Sequence, residues 1–230
     1  VPRQDFAFKA ENKEFTGGKL PVLCAASKLS MANALDQLAT FHPLTYAEWR
    51  QWLLENYASS PGIWFVYYKK GSGKPRVSYD EAVEEALCFG WIDGLARRLD
   101  EERAMLLFTP RKPRSVWSKP NKERVAKLIA ASRMLEAGML KIDVAKQNGS
   151  WEALTDSDAL LIPADLTEAL QANLIAQQYF TAFSPSTKKV ILAWISSAKR
   201  PETRTQRIQT TVVLAAENKK PGPLSKSNSK

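Results

Sequence analysis

The 230-residue chain is 44% apolar and 25% charged, ordinary globular proportions that exclude wholesale disorder. One histidine and two cysteines exclude a Cys/His zinc cluster and a disulfide scaffold, and leave histidine-dependent chemistry to His42 alone. With 33 Lys and Arg against 24 Asp and Glu, the net charge of +9 favours anionic partners.

Residues 1–40 show little periodicity and read as an N-terminal extension. Lys9, Lys13 and Lys19 precede the apolar stretch 20–26, but Lys28 breaks it at the short end of a signal-peptide core. Leu23 stands before Cys24 where a lipoprotein signal requires a small residue. No apolar run reaches the roughly 18 residues of a membrane span. The expectation is an unprocessed, cytoplasmic chain.

Thr45-Tyr-Ala-Glu48 is a capping box, and Tyr46, Trp49 and Leu53 recur at helical spacing beside Trp52. Pro61-Gly62 stops that helix, and the aromatic, β-branched run 63–68 reads as a strand. The basic stretch 69–75 lacks the spacing of a phosphate loop and reads as a turn. Ser78-Tyr-Asp-Glu81 is a second capping box, with Val83, Ala86, Leu87 and Gly90 tracing one face. Asp93 and Gly94 suggest a turn, and 95–99 with 103–109 suggest a hairpin. Pro110, Pro113 and Pro120 imply an irregular loop, with a helix starting near Asn121 on Val125, Leu128 and Ile129. Another helix is predicted over 139–147, stopping at Asn148-Gly149.

Beyond residue 150 every signal is helical. Asp165-Leu-Thr-Glu168 is a third capping box, and Ser184-Pro185 opens a helix carrying Val190, Ile191, Trp194 and Ile195. A last helix from Pro201 aligns Ile208, Val212 and Ala215. The expected fold class is α+β: a small mixed α/β unit of short antiparallel strands with flanking helices over 41–150, then an all-helical module over 151–217. The Lys-, Ser- and Pro-rich residues 218–230 read as a disordered basic tail.

Charge is concentrated. Residues 109–133 carry Arg111, Lys112, Arg114, Lys119, Lys122, Arg124, Lys127 and Arg133 against Glu123 alone. Residues 150–187 contain no Lys or Arg, and Lys199, Arg200, Arg204 and Arg207 form a second basic cluster. Such clusters attract phosphates, nucleic acid or acidic headgroups, although a solvated face has the same composition.

The strings Ala86-Leu-Cys-Phe-Gly-Trp-Ile-Asp-Gly94 and Phe108-Thr-Pro-Arg-Lys112, with Ser115-Val-Trp-Ser-Lys119 and Asn121, carry a family resemblance. So do Tyr68-Lys-Lys70, Met134, Ala137-Gly138, Gly149-Ser-Trp151, Ala198-Lys-Arg-Pro-Glu-Thr-Arg204 and Arg207-Ile208. Over about 41–215 the chain resembles the YdeI/OmpD-associated family, also called bacteriocin-protection or OmdA-type proteins. The resemblance implies a role in protection against bacteriocins, antimicrobial peptides or envelope stress, and it transfers no enzymatic activity. It implies a YdeI-like core over 41–150 and an OmdA-type module over 151–217. Two residues depart from the family pattern: Leu107 replaces a polar or basic residue, and Ser132 replaces glycine.

The expected function is therefore non-catalytic binding of an anionic small molecule or protein partner, without a cofactor or metal. The predicted site comprises Trp91, Asp93, Arg111, Lys112, Ser115, Trp117, Ser118, Asn121, Lys199, Arg200, Arg204 and Arg207. Arginines would supply forked contacts, serines hydrogen bonds, and Trp117 an exposed aromatic surface. Nucleic-acid binding on the same basic surface is the alternative, and an enzyme on a small phosphorylated substrate is the third reading. Cys88, about 140° around its helix from Val83, is more readily a core residue than a nucleophile. His42 is expected in solvent and completes no catalytic triad.

Overall fold

The computed structural model describes residues 34–221; most of the expected extension (1–33) and tail (222–230) lies outside the described residues. Residues 34–36 are helical, and the Leu38 amide closes that turn on the Leu35 carbonyl.

From residue 39 the chain builds a sheet flanked by helices. Strand β1 (Thr40–Phe41) leads to helix α1 (Tyr46–Asn56) and strand β2 (Ile63–Tyr68). Helix α2 (Tyr79–Cys88), strands β3 (Trp91–Arg98) and β4 (Arg103–Pro110), and helices α3 (Lys119–Ala130) and α4 (Glu136–Gln147) follow. The sheet order is β1-β2-β4-β3. β4 pairs antiparallel with β2 and β3, as expected, but β1 adds a parallel pair to β2 that two residues were too few to announce. Ile63 to Val66 are buried in succession, so the alternation of a strand is masked by cover on both faces.

Trp49, Phe65, Trp91 and Phe108 centre the core under this sheet. Trp49 stacks on Trp52 with centroids 5.5 Å apart, and its indole N–H donates to the Ala82 carbonyl at 3.1 Å. Burying one such ring contributes about 3 kcal/mol. The Ser78 capping box is complete, which starts α2 where expected. At Thr45 only half a box forms, because the Glu48 carboxylate takes the Leu44 amide instead. Glu85, fully buried on α2, accepts hydrogen bonds from Tyr46 and Arg50 of α1 and from Arg133.

Arg133 owes its position to the end of α3. Ser132 sits at φ 55°, its amide bonded to the Ile129 carbonyl, while the Arg133 amide reaches the Leu128 carbonyl. Those two bonds define a Schellman motif, whose left-handed residue is ordinarily glycine. Ser132 thus holds a backbone conformation that glycine would adopt without strain.

Two glycines bring α4 against α2. A Cβ on Gly138 would lie 2.5 Å from the Cys88 carbonyl oxygen, and one on Gly90 would lie 2.9 Å from that of Ala137. Gly90 also has φ 74°, so the left-handed glycine of this stretch is Gly90 and not Gly94. Asp93 and Gly94 lie inside β3, where the register shifts by one residue between Asp93 and Ala96; this is a bulge and not a turn.

The C-terminal third is helical: α5 (Thr155–Asp158), α6 (Ala164–Gln171), α7 (Leu174–Ala182), α8 (Pro185–Ser196) and α9 (Pro201–Ala216). Leu166, Phe180, Ile191, Ile195 and Ala215 form a second buried cluster. Ser184 caps α8 through the Thr187 amide, as predicted. Asp165 does not cap α6: Pro163 occupies that position with φ −68°, and Asp165 falls in the first turn, paired with Arg204. The fold is α+β. Among the described residues no helix is long and apolar enough to cross a membrane.

Candidate functional site

The two strings that carry the family resemblance meet at Arg111. Its amide donates to the Gly90 carbonyl at 2.9 Å, so the glycine turn after α2 holds its backbone. Its guanidinium lies 3.7 Å from the Trp117 ring centroid and donates through Nη2 to the Val116 carbonyl at 2.7 Å. Trp117 rests on Trp151, 5.0 Å away. The Trp117 amide donates to the Ser150 carbonyl, and Asn148 Nδ2 and Ser150 Oγ donate to the Pro113 carbonyl. The proline loop is therefore clamped onto the turn 148–151, and Asn148-Gly-Ser-Trp151 supports Arg111 from below.

Arg111 is 3% exposed, and its Nε has no hydrogen-bond partner. Burial pushes its pKa down to about 10, opposed by the negative charge of Asp93. Burying a charged group without full pairing is costly, and the residue persists here at the wall of a cleft.

That cleft has a volume of about 490 Å³ and is lined by Tyr79, Ile92, Asp93, Arg111, Val116, Ser118, Pro120, Asn121, Arg124 and Leu154. This lies within the range of small-molecule sites, as does its mixture of an apolar floor with a few polar groups. Tyr79 donates its hydroxyl to Asp93 at 2.8 Å. Burial and that hydrogen bond push the Tyr79 phenol up to about 12. Arg124 donates to Asn121 and to Asp80, with its guanidinium 5.8 Å from the Tyr79 ring centroid. Ser118 stands at the N-cap of α3 without a side-chain cap bond. The Lys119 amide of the same helix end is taken by Asp158, whose other oxygen lies 3.5 Å from Lys189.

Of the predicted site, Asp93, Arg111, Ser118 and Asn121 come together in this cleft. Lys112 is exposed and Ser115 half-buried, and neither lines it. Trp117 is 1% exposed, which corrects its expected role as an open aromatic surface: its indole is consumed by Arg111 and Trp151. Trp91 is also a core residue, with its N–H donating to the Tyr57 carbonyl; its edge reaches a separate cleft of about 360 Å³ beside Gly90 and Leu140. Helix α3 starts near Asn121 as expected, at Lys119, but Ser118 and not Asn121 holds the cap position, with Pro120 in the first turn. Lys199 and Arg200 are exposed, and neither lines the cleft. Arg204 is held by both oxygens of Asp165, and Arg207 bonds the Trp194 carbonyl and Ser197 Oγ; neither reaches the cleft lining.

Tyr79, Ile92, Arg124 and Leu154 were not singled out from sequence. For Arg124 a signal existed, because it lies one helical turn from Asn121. Cys88 is fully buried, and its thiol is pushed up to about 12, chiefly by burial, so it is no nucleophile at neutral pH. His42 is half-buried rather than solvated, edge-on to Tyr68 with Nε2 unpartnered, and burial followed by Arg103 lowers its pKa.

Fold and cleft define a class: an α+β protein with a small, preformed polar pocket at the sheet edge, followed by a helical module. Residues 159–218, in the C-terminal helices, match the family described as Bacteriocin-protection, YdeI or OmpD-Associated. Residues 41–141, which contain the Arg111 strings, match a separate family described as Domain of unknown function (DUF8412). No curated protein matches the chain, and no solved structure does.

Proposed function

We propose that the protein serves bacteriocin-protection-type stress resistance by binding, without catalysis, a small ligand that carries an anionic group. The ligand's anion sits against Arg111 and Ser118. The observation that carries this reading is Arg111 itself: a side chain 3% exposed that lines the cleft, its guanidinium held by the Trp117 ring and the Val116 carbonyl, and its buried Nε without a hydrogen-bond partner. A bound anion would pair with the guanidinium's charge, and hydrogen bonds between ionised groups are the stronger kind. Ser118, which also lines the cleft, adds a hydroxyl donor. We keep the α/β core (41–150) as the binding unit and the helices (151–217) as a module that bounds it.

The nucleic-acid alternative has less support, because its stacking platform Trp117 is buried. The test is mass spectrometry of the intact protein under native conditions, before and after denaturation, to reveal a retained small molecule. It is paired with titration of inorganic phosphate and acetate monitored by amide NMR shifts. Shifts confined to Arg111, Ser118 and Asn121 support the reading. Equal shifts in Arg111→Met would overturn it, and binding of RNA or DNA that falls steeply with salt would favour the alternative.

A further inference from the structure

The cleft is not uniformly cationic. Asp93 shares it with Arg111, near enough for its charge to oppose the fall in the arginine's pKa. Tyr79 supplies one hydrogen bond to the Asp93 carboxylate, through Oδ2. Among the described residues no Lys or Arg side chain forms a salt bridge with Asp93, whereas Arg124, the other cation of the lining, is committed to Asp80 and Asn121.

A simple anion entering beside Arg111 would therefore meet a second negative charge. Like charges in one site disfavour each other. A ligand that brings its own cation reverses the sign of the contact: its ammonium faces Asp93 while its carboxylate faces Arg111. Between these poles, Ile92, Val116, Pro120 and Leu154 offer an apolar wall.

Resting on the reading above, we infer that the cleft takes a small zwitterion of amino-acid or short-peptide type, with carboxylate on Arg111 and Ser118, ammonium on Asp93, and an aliphatic substituent on the apolar wall. Asp93 is the specificity-determining residue. It rejects compounds that have the anion alone, and Tyr79 orients its carboxylate.

The test is calorimetric titration of the full chain with leucine, N-acetyl-leucine and leucine amide, and with leucyl-leucine and its N-acetyl and amide derivatives. The single-residue and dipeptide arms report which charge spacing the site prefers. Inorganic phosphate serves as the anion control. At least one zwitterion should bind about tenfold or more tightly than its acetylated counterpart, the scale of one charge-assisted hydrogen bond. Asp93→Asn keeps an acceptor for the Tyr79 hydroxyl and should abolish that preference, with a thermal melt confirming the fold. Binding of the acetylated compounds as tightly as the zwitterions, or a preference that survives Asp93→Asn, overturns the inference and leaves the anion reading standing. Absence of binding by every compound, phosphate included, overturns both.

Discussion

The guanidinium of Arg111 is seated 3.7 Å from the ring centroid of Trp117, and both side chains are almost wholly withdrawn from solvent. A cation–π contact of this kind contributes about 2 kcal/mol when desolvated, against the cost of burying the charge. Function and stability therefore pull apart at this residue. Arg111→Met, similar in length and uncharged, should stay within about 1 kcal/mol of the parent in urea unfolding. The same variant should lose the amide shifts that phosphate induces in the cleft. A collapse in stability would mean that Arg111 is an ordinary structural residue.

Ser132 adopts φ 55° at the end of α3, where a side chain is disfavoured. Ser132→Gly should stabilise the protein by about 0.5–1 kcal/mol, the usual gain where a left-handed residue is relieved of its Cβ. Ser132→Val should destabilise it, and equilibrium unfolding in urea measures both.

Gly138 reads as a weak point of α4 by propensity, since alanine in a helix interior is favoured by about 1 kcal/mol. The structure reverses that sign. An added Cβ meets the Cys88 and Leu87 carbonyl oxygens at 2.5 and 2.7 Å, both rigid backbone atoms. Gly138→Ala should cost about 1–3 kcal/mol, with the loss visible as a lower melting temperature.

Asp165 and Arg204 join α6 to α9 through bonds of 2.6 and 2.9 Å. The Arg204 hydrogen bond holds the Asp165 carboxyl below its ordinary range. A carboxyl depressed in the folded state stabilises above its unfolded pKa, about 4, and that stability is lost as pH falls through the folded value. Both side chains are substantially exposed, so Arg204→Ala should cost only about 0.5 kcal/mol at neutral pH. The difference between parent and variant should shrink and then vanish as acidification protonates the Asp165 carboxyl, while cleft binding at neutral pH is unchanged.

Local signals carried far in this chain. The Ser78 box, the Ser184-Pro185 start and the hairpin of β3 and β4 were legible because each rests on contacts within a few residues. The cleft was only half legible. Asp93, Arg111, Ser118 and Asn121 were recognised as chemistry, but Tyr79 joins them from the helix before β3 and Leu154 from beyond the α/β unit. Trp117, flanked by serine and lysine, looks exposed until Trp151 and the turn at Ser150 are folded over it. Arg204 and Arg207 read as a ligand-binding cluster, yet Asp165 lies 39 residues from its partner, beyond any local pattern. Charge clustering shows where cations are, and only tertiary contacts show which of them remain unspent.

Gly90 touches α4 with one side of its backbone and the amide of Arg111 with its carbonyl. A methyl group there would shift scaffold and recognition in a single stroke. Neither can drift through mutation at this joint without dragging the other along, so inherited variation in what the pocket accepts must enter elsewhere, through the rim positions that carry no such double duty.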